Sequence, residues 1–270
     1  MEAEKREQFT IRQCTSMEEF GACIDLQRKV WRFSDLDIIP LRAFVINLHS
    51  GGITQGAFDH EDRLIGFSHA LPALDQHHRP FFYSHMLAVD SAWRDAGIGW
   101  RLKLAQREQA LRVGVSLIKW TFDPLQSRNA NLNIRKLGGV VREYKVNYYG
   151  NSSTSALHLG LDTDRLFVEW WLESLRVEQA VAGEASGENG REQEPEGVVT
   201  IPWNIDALKH EDMARAREIQ LATREGFLAC FRQGLYCAGF DFSPGTVGRY
   251  LFYRDQRSES NGMERSARNA

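Results

Sequence analysis

The stretch Tyr83-Ser84-His85-Met86-Leu87-Ala88-Val89-Asp90-Ser91-Ala92-Trp93-Arg94-Asp95-Ala96-Gly97-Ile98-Gly99-Trp100-Arg101-Leu102 divides into a strand, a turn and the start of a helix. Its first part continues an aromatic and aliphatic run, Phe81 to Val89, that suits a buried strand. From Ile98 the spacing becomes helical, with Ile98, Leu102 and Ala105 on one stripe. Gly97 and Gly99 remove Cβ atoms where the backbone must bend and where another molecule can approach the main chain. The helix that follows points unpaired N–H groups, and the positive end of its dipole, at whatever lies above the turn. The stretch therefore predicts an anion site suited to phosphate.

Upstream, Phe9 to Arg12 reads as a first strand, and Ser16 as the N-cap of a helix from Met17 to Val30 whose core stripe is Phe20, Cys23, Leu26 and Val30. A connector rich in aromatics and acids, Trp31 to Pro40, leads into a helix from Leu41 to His49. Gly51-Gly52 breaks it, and Ile53–Asp59 and Arg63–Leu71 then read as a hairpin. Downstream, the helix Ile98 to Val113 ends at Gly114 and the strand Val115 to Phe122 stops at Asp123-Pro124. A polar helix, Ser127 to Leu137, closes at Gly138-Gly139. Strands are expected over Val140–Tyr149 and Ser155–Leu161, followed by an apolar segment, Leu166–Leu175.

Glu178 to Gly197 carries six glutamates against one arginine and reads as a flexible linker. Beyond it a helix is expected over Glu211–Gln233, with Leu221, Leu228, Phe231 and Leu235 on one side, then strands over Leu235–Phe242 and Arg249–Tyr253. The plan is thus a main domain over residues 1–177, a linker over 178–197, an extension over 198–253 that packs on the core, and a disordered tail over 254–270. The amphipathic helix of the extension needs an apolar partner, and the acceptor side of the cleft or a dimer interface is the expected one.

The composition, 43% hydrophobic and 26% charged over 270 residues, is that of a globular protein. A net charge of -3 gives no general attraction for nucleic acid or an anionic membrane. No run approaches the ~20 apolar residues of a membrane span, and the charged start Met1 to Gln8 lacks a signal-peptide core, so a cytoplasmic location is expected. Cys14, Cys23, Cys230 and Cys237 have no CxxC spacing, and His77-His78 sits in a loop, so neither disulfides nor a metal site is expected.

Arg94-x-x-Gly97-x-Gly99, following Leu87-Ala88-Val89, resembles the acyl-CoA signature of the GNAT acyltransferase superfamily. The resemblance covers residues 9 to 175. It implies an α/β (α+β) fold, a mixed and mostly antiparallel sheet flanked by helices, here with a C-terminal helix–strand extension. It implies acetyl-CoA or another acyl-CoA as cosubstrate, bound by Leu87, Ala88, Val89, Arg94, Asp95, Ala96, Gly97, Ile98 and Gly99, with Asn129 and Asn133 of the polar helix reaching it. The partner implied is a small-molecule amine or amino acid, and a homodimer is compatible. Lys119 to Leu125 resembles a bacterial subgroup of this superfamily, some of whose members carry out N-acylation, including N-succinylation, of amino acids. The departure is in the polar helix. There Ser127, Ala130, Asn133, Ile134, Gly138 and Gly139 meet the family pattern only at the alanine and the terminal glycine, and Ile134 takes the place of the tyrosine that commonly protonates the departing thiolate.

The resemblance makes the connector a wall of the acceptor pocket, with Trp31, Phe33, Asp35 and Asp37 as candidates to hold the acceptor; a surface loop with an aromatic anchor is the alternative. His85, four residues before Val89, is placed to serve as the base that deprotonates the amine, and Tyr83 shares its face by strand alternation. A half-buried histidine satisfied by a backbone carbonyl would look the same in sequence. Tyr148, Tyr149, Asn133 or water could supply the missing proton. A succinyl terminus would need a cation, for which Arg142 or Arg128 could serve. Acyl transfer to a small amine or amino acid is the favoured function, acyl-CoA binding without turnover its rival, and protein N-acetylation a weaker third, since nothing in the sequence indicates a docking surface.

Overall fold

The computed structural model describes residues 9–32, 34–150, 160–183, 194–242 and 246–254. The chain runs β1 (Thr10–Gln13), α1 (Met17–Trp31), α2 (Leu41–His49), β2 (Ile53–Phe58), β3 (Leu64–Leu74) and β4 (Pro80–Val89), then α3 (Ile98–Arg112) and β5 (Leu117–Phe122). A short α4 (Ser127–Ala130) passes directly into a π-helical turn (Asn131–Lys136). There follow β6 (Val140–Lys145), β7 (Arg165–Trp171), α5 (Leu175–Val181), β8 (Gly197–Pro202), α6 (Ile205–Glu211), α7 (Met213–Arg232), β9 (Leu235–Phe242) and β10 (Val247–Arg254).

The ten strands of the described residues join one sheet, in the order β1-β2-β3-β4-β5-β7-β6-β9-β10-β8. Every neighbouring pair is antiparallel except β4 with β5. One face is covered by α1 and α2. Ser16 and Glu19 fix the start of α1 through a reciprocal capping box, and Phe20, Cys23 and Leu26 then pack with Phe44 of α2 on Phe58, Phe67, Met86 and Ala88 of the sheet. The opposite face receives α3, which buries Ile98, Leu102, Gln106 and Ala110, with Lys103 beside them. This differs from the stripe expected in sequence, where Ala105 stood in place of the two polar residues. Ala105 is half-buried.

The extension continues the sheet. β9 meets β6 at Val141↔Cys237, and Phe227, Phe240, Tyr250 and Phe252 share one core cluster with Ile118, Trp170 and Ile134. Arg224 of α7 bonds Asp164 at 2.9 Å and Asp162 at 2.6 Å, while Tyr144 donates to the same Asp164 at 2.6 Å. The Tyr250 hydroxyl donates to Pro124 O at 2.7 Å, and Ser127 Oγ to Pro202 O at 2.8 Å. Within the chain the extension thus packs on β6 and the 123–127 segment.

Several boundaries differ from the sequence reading. The helix expected over 211–233 is present as α7, which starts after Asp212, whose side chain caps it through Arg215 N at 2.9 Å; α6, just before it, was not expected. Leu221 is 45% exposed, while Ala216, Gln220, Thr223 and Phe227 face inward. Gln220 is buried because its amide donates to Asp162 O at 2.8 Å, a long-range bond that periodicity does not show. The expected linker begins inside α5 and ends in β8. The strand expected over 140–149 stops at Lys145, so Tyr148 and Tyr149 lie in a turn. Phe33, residues 155–159 of one expected strand, residues 184–193 of the linker and the tail from 255 lie outside the described residues. Among the described residues no helix is long and apolar enough to cross a membrane.

Candidate active site

Two irregularities in β4 create the site. Along β3, Met86 lies opposite His69 and Ser84 opposite Ala70, which leaves His85 as an extra residue in a β-bulge. The bulge reverses the alternation of the strand. Before it, Ser84 bonds Lys103 of α3; after it, Leu87 and Val89 pack toward Ile98 and Leu102 of α3, while Met86 and Ala88 face Phe44. Along β5, pairing is confined to Phe82↔Ile118 and Tyr83↔Lys119. Beyond Tyr83 the two strands part, and among the described residues no strand pairs with the β5-facing edge of Leu87 to Val89.

The turn from Asp90 to Gly99 closes the mouth of that gap. Asp90 accepts from Ala92 N at 3.1 Å and from Lys29 Nζ at 2.6 Å, which sets a short 3-10 turn over Ser91–Trp93. Gly97 has a left-handed φ of 81° and offers α3 no side-chain cap. Among the described residues no N-cap side chain accepts from the first N–H groups of α3. Ala96 and Ile98 are buried and pin the turn, whereas Arg94, Asp95 and Gly97 are exposed. A Cβ built on Gly99 would lie 3.7 Å from Leu87 Cδ2 and 3.9 Å from Leu132 Cδ2, so the β4 strand and the π-helical turn converge there.

On the α1–α2 face a cleft of about 300 Å³ is lined by residues 36–40, Ala43, His69, Leu71 and His85. Gln27 holds the connector, its buried Oε1 accepting from Ile39 N at 2.9 Å. His69 Nδ1 lies 2.9 Å from Thr54 Oγ1, and burial pushes this imidazole down to about 4. His85 is exposed to the cleft, yet the protein around it also lowers its pKa by desolvation. Tyr83 sits beside it, ring centroids 6.4 Å apart. Across the gap, Tyr149 OH is 3.2 Å from Thr121 Oγ1 of β5, and its ring packs edge-on against Tyr148. Burial, and then the neighbouring Tyr149 phenol, raise the Tyr83 hydroxyl well above the usual phenol range.

A β1-β2-β3-β4-β5-β7-β6 order with a splay between β4 and β5, and a glycine turn opening a helix at the mouth of the splay, is decisive. This is the GNAT fold. No protein-family model and no curated protein matches the chain. Similar solved structures include the ribosomal-protein-S18-alanine N-acetyltransferase from Escherichia coli, at 14% identity and TM-score 0.47 over 67% of this chain and 97% of that one. An acetyltransferase of GNAT family from Streptococcus pneumoniae is similar at 15% identity and TM-score 0.48 over 60% and 98%. The NatC complex bound to Gag peptide and CoA contains a chain similar at 18% identity and TM-score 0.48 over 60% and 97%. At such identities the assignment of fold rests on strand order and splay.

Within this GNAT fold the residues singled out in sequence fall into separate groups. His85, Tyr83, Leu87 to Val89 and the turn Arg94 to Gly99 border the splay, and Asp37 lines the cleft with His85. Trp31 packs edge-on against Phe67 at 6.5 Å, and Asp35 pairs with Arg28 at 3.1 Å; neither lines the cleft. Asn129 is exposed, while Asn133 is buried with its carbonyl accepting from Gly139 N at 2.9 Å. Ile134 is fully buried in the core. Arg142, on β6, donates to Glu169 at 3.0 Å and covers Tyr236 of the extension at 4.7 Å. Arg128 reaches Asp95 at 3.9 Å.

Sequence reasoning passed over His69 and Lys103. Lys103 Nζ donates to Ser84 Oγ at 2.7 Å and lies over the Trp120 ring at 3.7 Å. Its position next to Leu102 on the inward side of α3 was the available signal. His69 gave none, since its burial depends on Asn47 and Thr54 from other elements.

Proposed function

We propose that the chain transfers an acyl group, acetyl foremost, from acyl-CoA to the amine of a small molecule by direct attack in a ternary complex. The observation that carries this reading is the juxtaposition, along one strand, of an unpaired edge at Leu87–Val89, an uncapped helix start at Gly97–Gly99, and His85 opening into a separate cleft. The uncapped N–H groups and the exposed Arg94 suit a pyrophosphate. The free edge of β4 suits an amide-bearing arm that pairs as a strand would. A main-chain N–H near Leu87 suits the developing oxyanion, a contribution of roughly 3–4 kcal/mol where one such donor has been removed.

The acceptor arrives as an ammonium and loses two protons as the C–N bond forms and the C–S bond breaks. One proton ends on the departing sulfur and the other in solvent. Desolvation keeps His85 unprotonated near neutral pH and so able to take a proton from the amine. Tyr83, held as a neutral phenol, and Tyr149 across the gap are the candidate donors to sulfur. They stand in for the side chain that Ile134 cannot offer from the core. Arg142, engaged by Glu169 and Tyr236, supports acetyl over succinyl, whose terminal carboxylate would want a cation at the cleft.

Incubation with acetyl-CoA, succinyl-CoA and a broad amine panel, monitoring CoA thiol release and acylated product by mass spectrometry, tests this. Turnover with acetyl-CoA is expected. Saturable CoA binding with no product from any pair would replace this reading with a noncatalytic acyl-CoA-binding protein.

A further inference from the structure

The cleft beside His85 has a chemical character of its own. At about 300 Å³ it is at the low end of the range for small-ligand sites, too small for a folded partner. Most of its wall is apolar: Leu36, Ile38, Ile39, Pro40 and Leu71 surround the two imidazoles. Asp37 is the acidic residue of the lining, and among the described residues that line the cleft there is no lysine or arginine.

Such a wall discriminates by charge. A single ammonium near Asp37 finds a counter-ion, whereas a substrate carboxylate would meet like charge and no cation. A polyamine would carry further ammonium groups into apolar surroundings where each loses hydration without a partner. An alkyl or aryl body gains from leaving water against Ile38, Ile39 and Leu71.

We infer, on the acyl-transfer reading above, that the acceptor is a hydrophobic monoamine without a free carboxylate, its nitrogen between Asp37 and His85 and its apolar body against Ile38, Ile39 and Leu71. Free amino acids, polyamines and aminoglycosides are poor acceptors on this view.

The test uses the full chain with acetyl-CoA and a matched set: 3-methylbutylamine, leucinamide, leucine and spermidine. The kcat/KM for 3-methylbutylamine and leucinamide is expected to exceed that for leucine and spermidine at least 30-fold; a smaller ratio, or a preference for leucine or spermidine, overturns the inference. Leu71→Arg, checked for an unchanged Tm, is expected to shrink the leucinamide-to-leucine ratio at least tenfold, and an unchanged ratio counts against it. Asp37→Asn is expected to raise KM for 3-methylbutylamine about tenfold with kcat nearly kept; an unaltered KM also overturns it. If no acceptor turns over, calorimetry on the CoA-saturated chain separates the two readings. Binding of 3-methylbutylamine but not leucine upholds the acceptor chemistry while acyl transfer fails, and binding of neither removes both.

Discussion

Lys103 Nζ donates to Ser84 Oγ at 2.7 Å, at the first rung where β4 and β5 cease to pair. Continuing the register Phe82↔Ile118 and Tyr83↔Lys119 by one residue would place Ser84 opposite Trp120, and the ammonium lies 3.7 Å from that ring. A side chain from α3 thus touches both strands where main-chain bonding stops. Burial pushes this lysine down to about 7 from 10.5. Between those values the unfolded chain binds more protons than the folded one, so this group makes stability rise with pH from about 7 to about 10.5. The slope approaches 1.4 kcal/mol per pH unit at most. Lys103→Met, close in length and apolar, should abolish that component and cost little at pH 6. Urea unfolding of both proteins at pH 6, 8 and 10 checks this; parallel pH dependences would refute the assignment.

The proton-transfer roles separate kinetically. His85→Ala should lower kcat by about 100-fold or more and remove an ionisation below the ordinary imidazole range from the rate profile. Of Tyr83→Phe and Tyr149→Phe, the donor to sulfur is the one whose loss lowers kcat about tenfold or more with acyl-CoA KM unchanged. Full activity in all three variants would leave the cleft without assigned acid–base chemistry.

Two glycines make contrasting predictions. Gly97 is left-handed with open space around a Cβ, so Gly97→Ala should cost about 1–2 kcal/mol of backbone strain and raise KM for acyl-CoA. At Gly139 a Cβ would fall 2.8 Å from Asn133 O and 2.6 Å from Val168 Cγ1. Gly139→Ala should therefore destabilise by about 1–3 kcal/mol or more through overpacking, with KM near normal in the folded fraction. Thermal melts and CoA titrations distinguish them, and the reverse pattern would argue against the turn's role.

Arg224 tests whether the extension belongs to the main core. Asp164 is only 2% exposed and is held by Arg224 and the Tyr144 hydroxyl. Arg224→Met leaves that carboxylate without its cation and should cost about 3–5 kcal/mol in a single unfolding transition. Two separate transitions, with the first 180 residues unaffected, would show the extension to be independent.

The local features of this protein were written in its residues one after another. The Arg94–Gly99 turn is legible because left-handed backbone and helix initiation depend on neighbouring residues, and α1 because its Ser16 cap and its three-to-four-residue stripe are short-range. Long-range features were not legible. The bulge at His85 exists only through the register against β3, and Lys103 is buried only because Ser84 and Trp120 come to meet it. The π-helical turn that takes Ile134 into the core, and the extension's place beside β6, likewise depend on partners far along the chain. Sequence alone thus carried the fold class and the turn at the mouth of the splay. Which side chains face the cleft was decided by tertiary packing, because a one-residue register shift reverses a strand's faces without changing its composition.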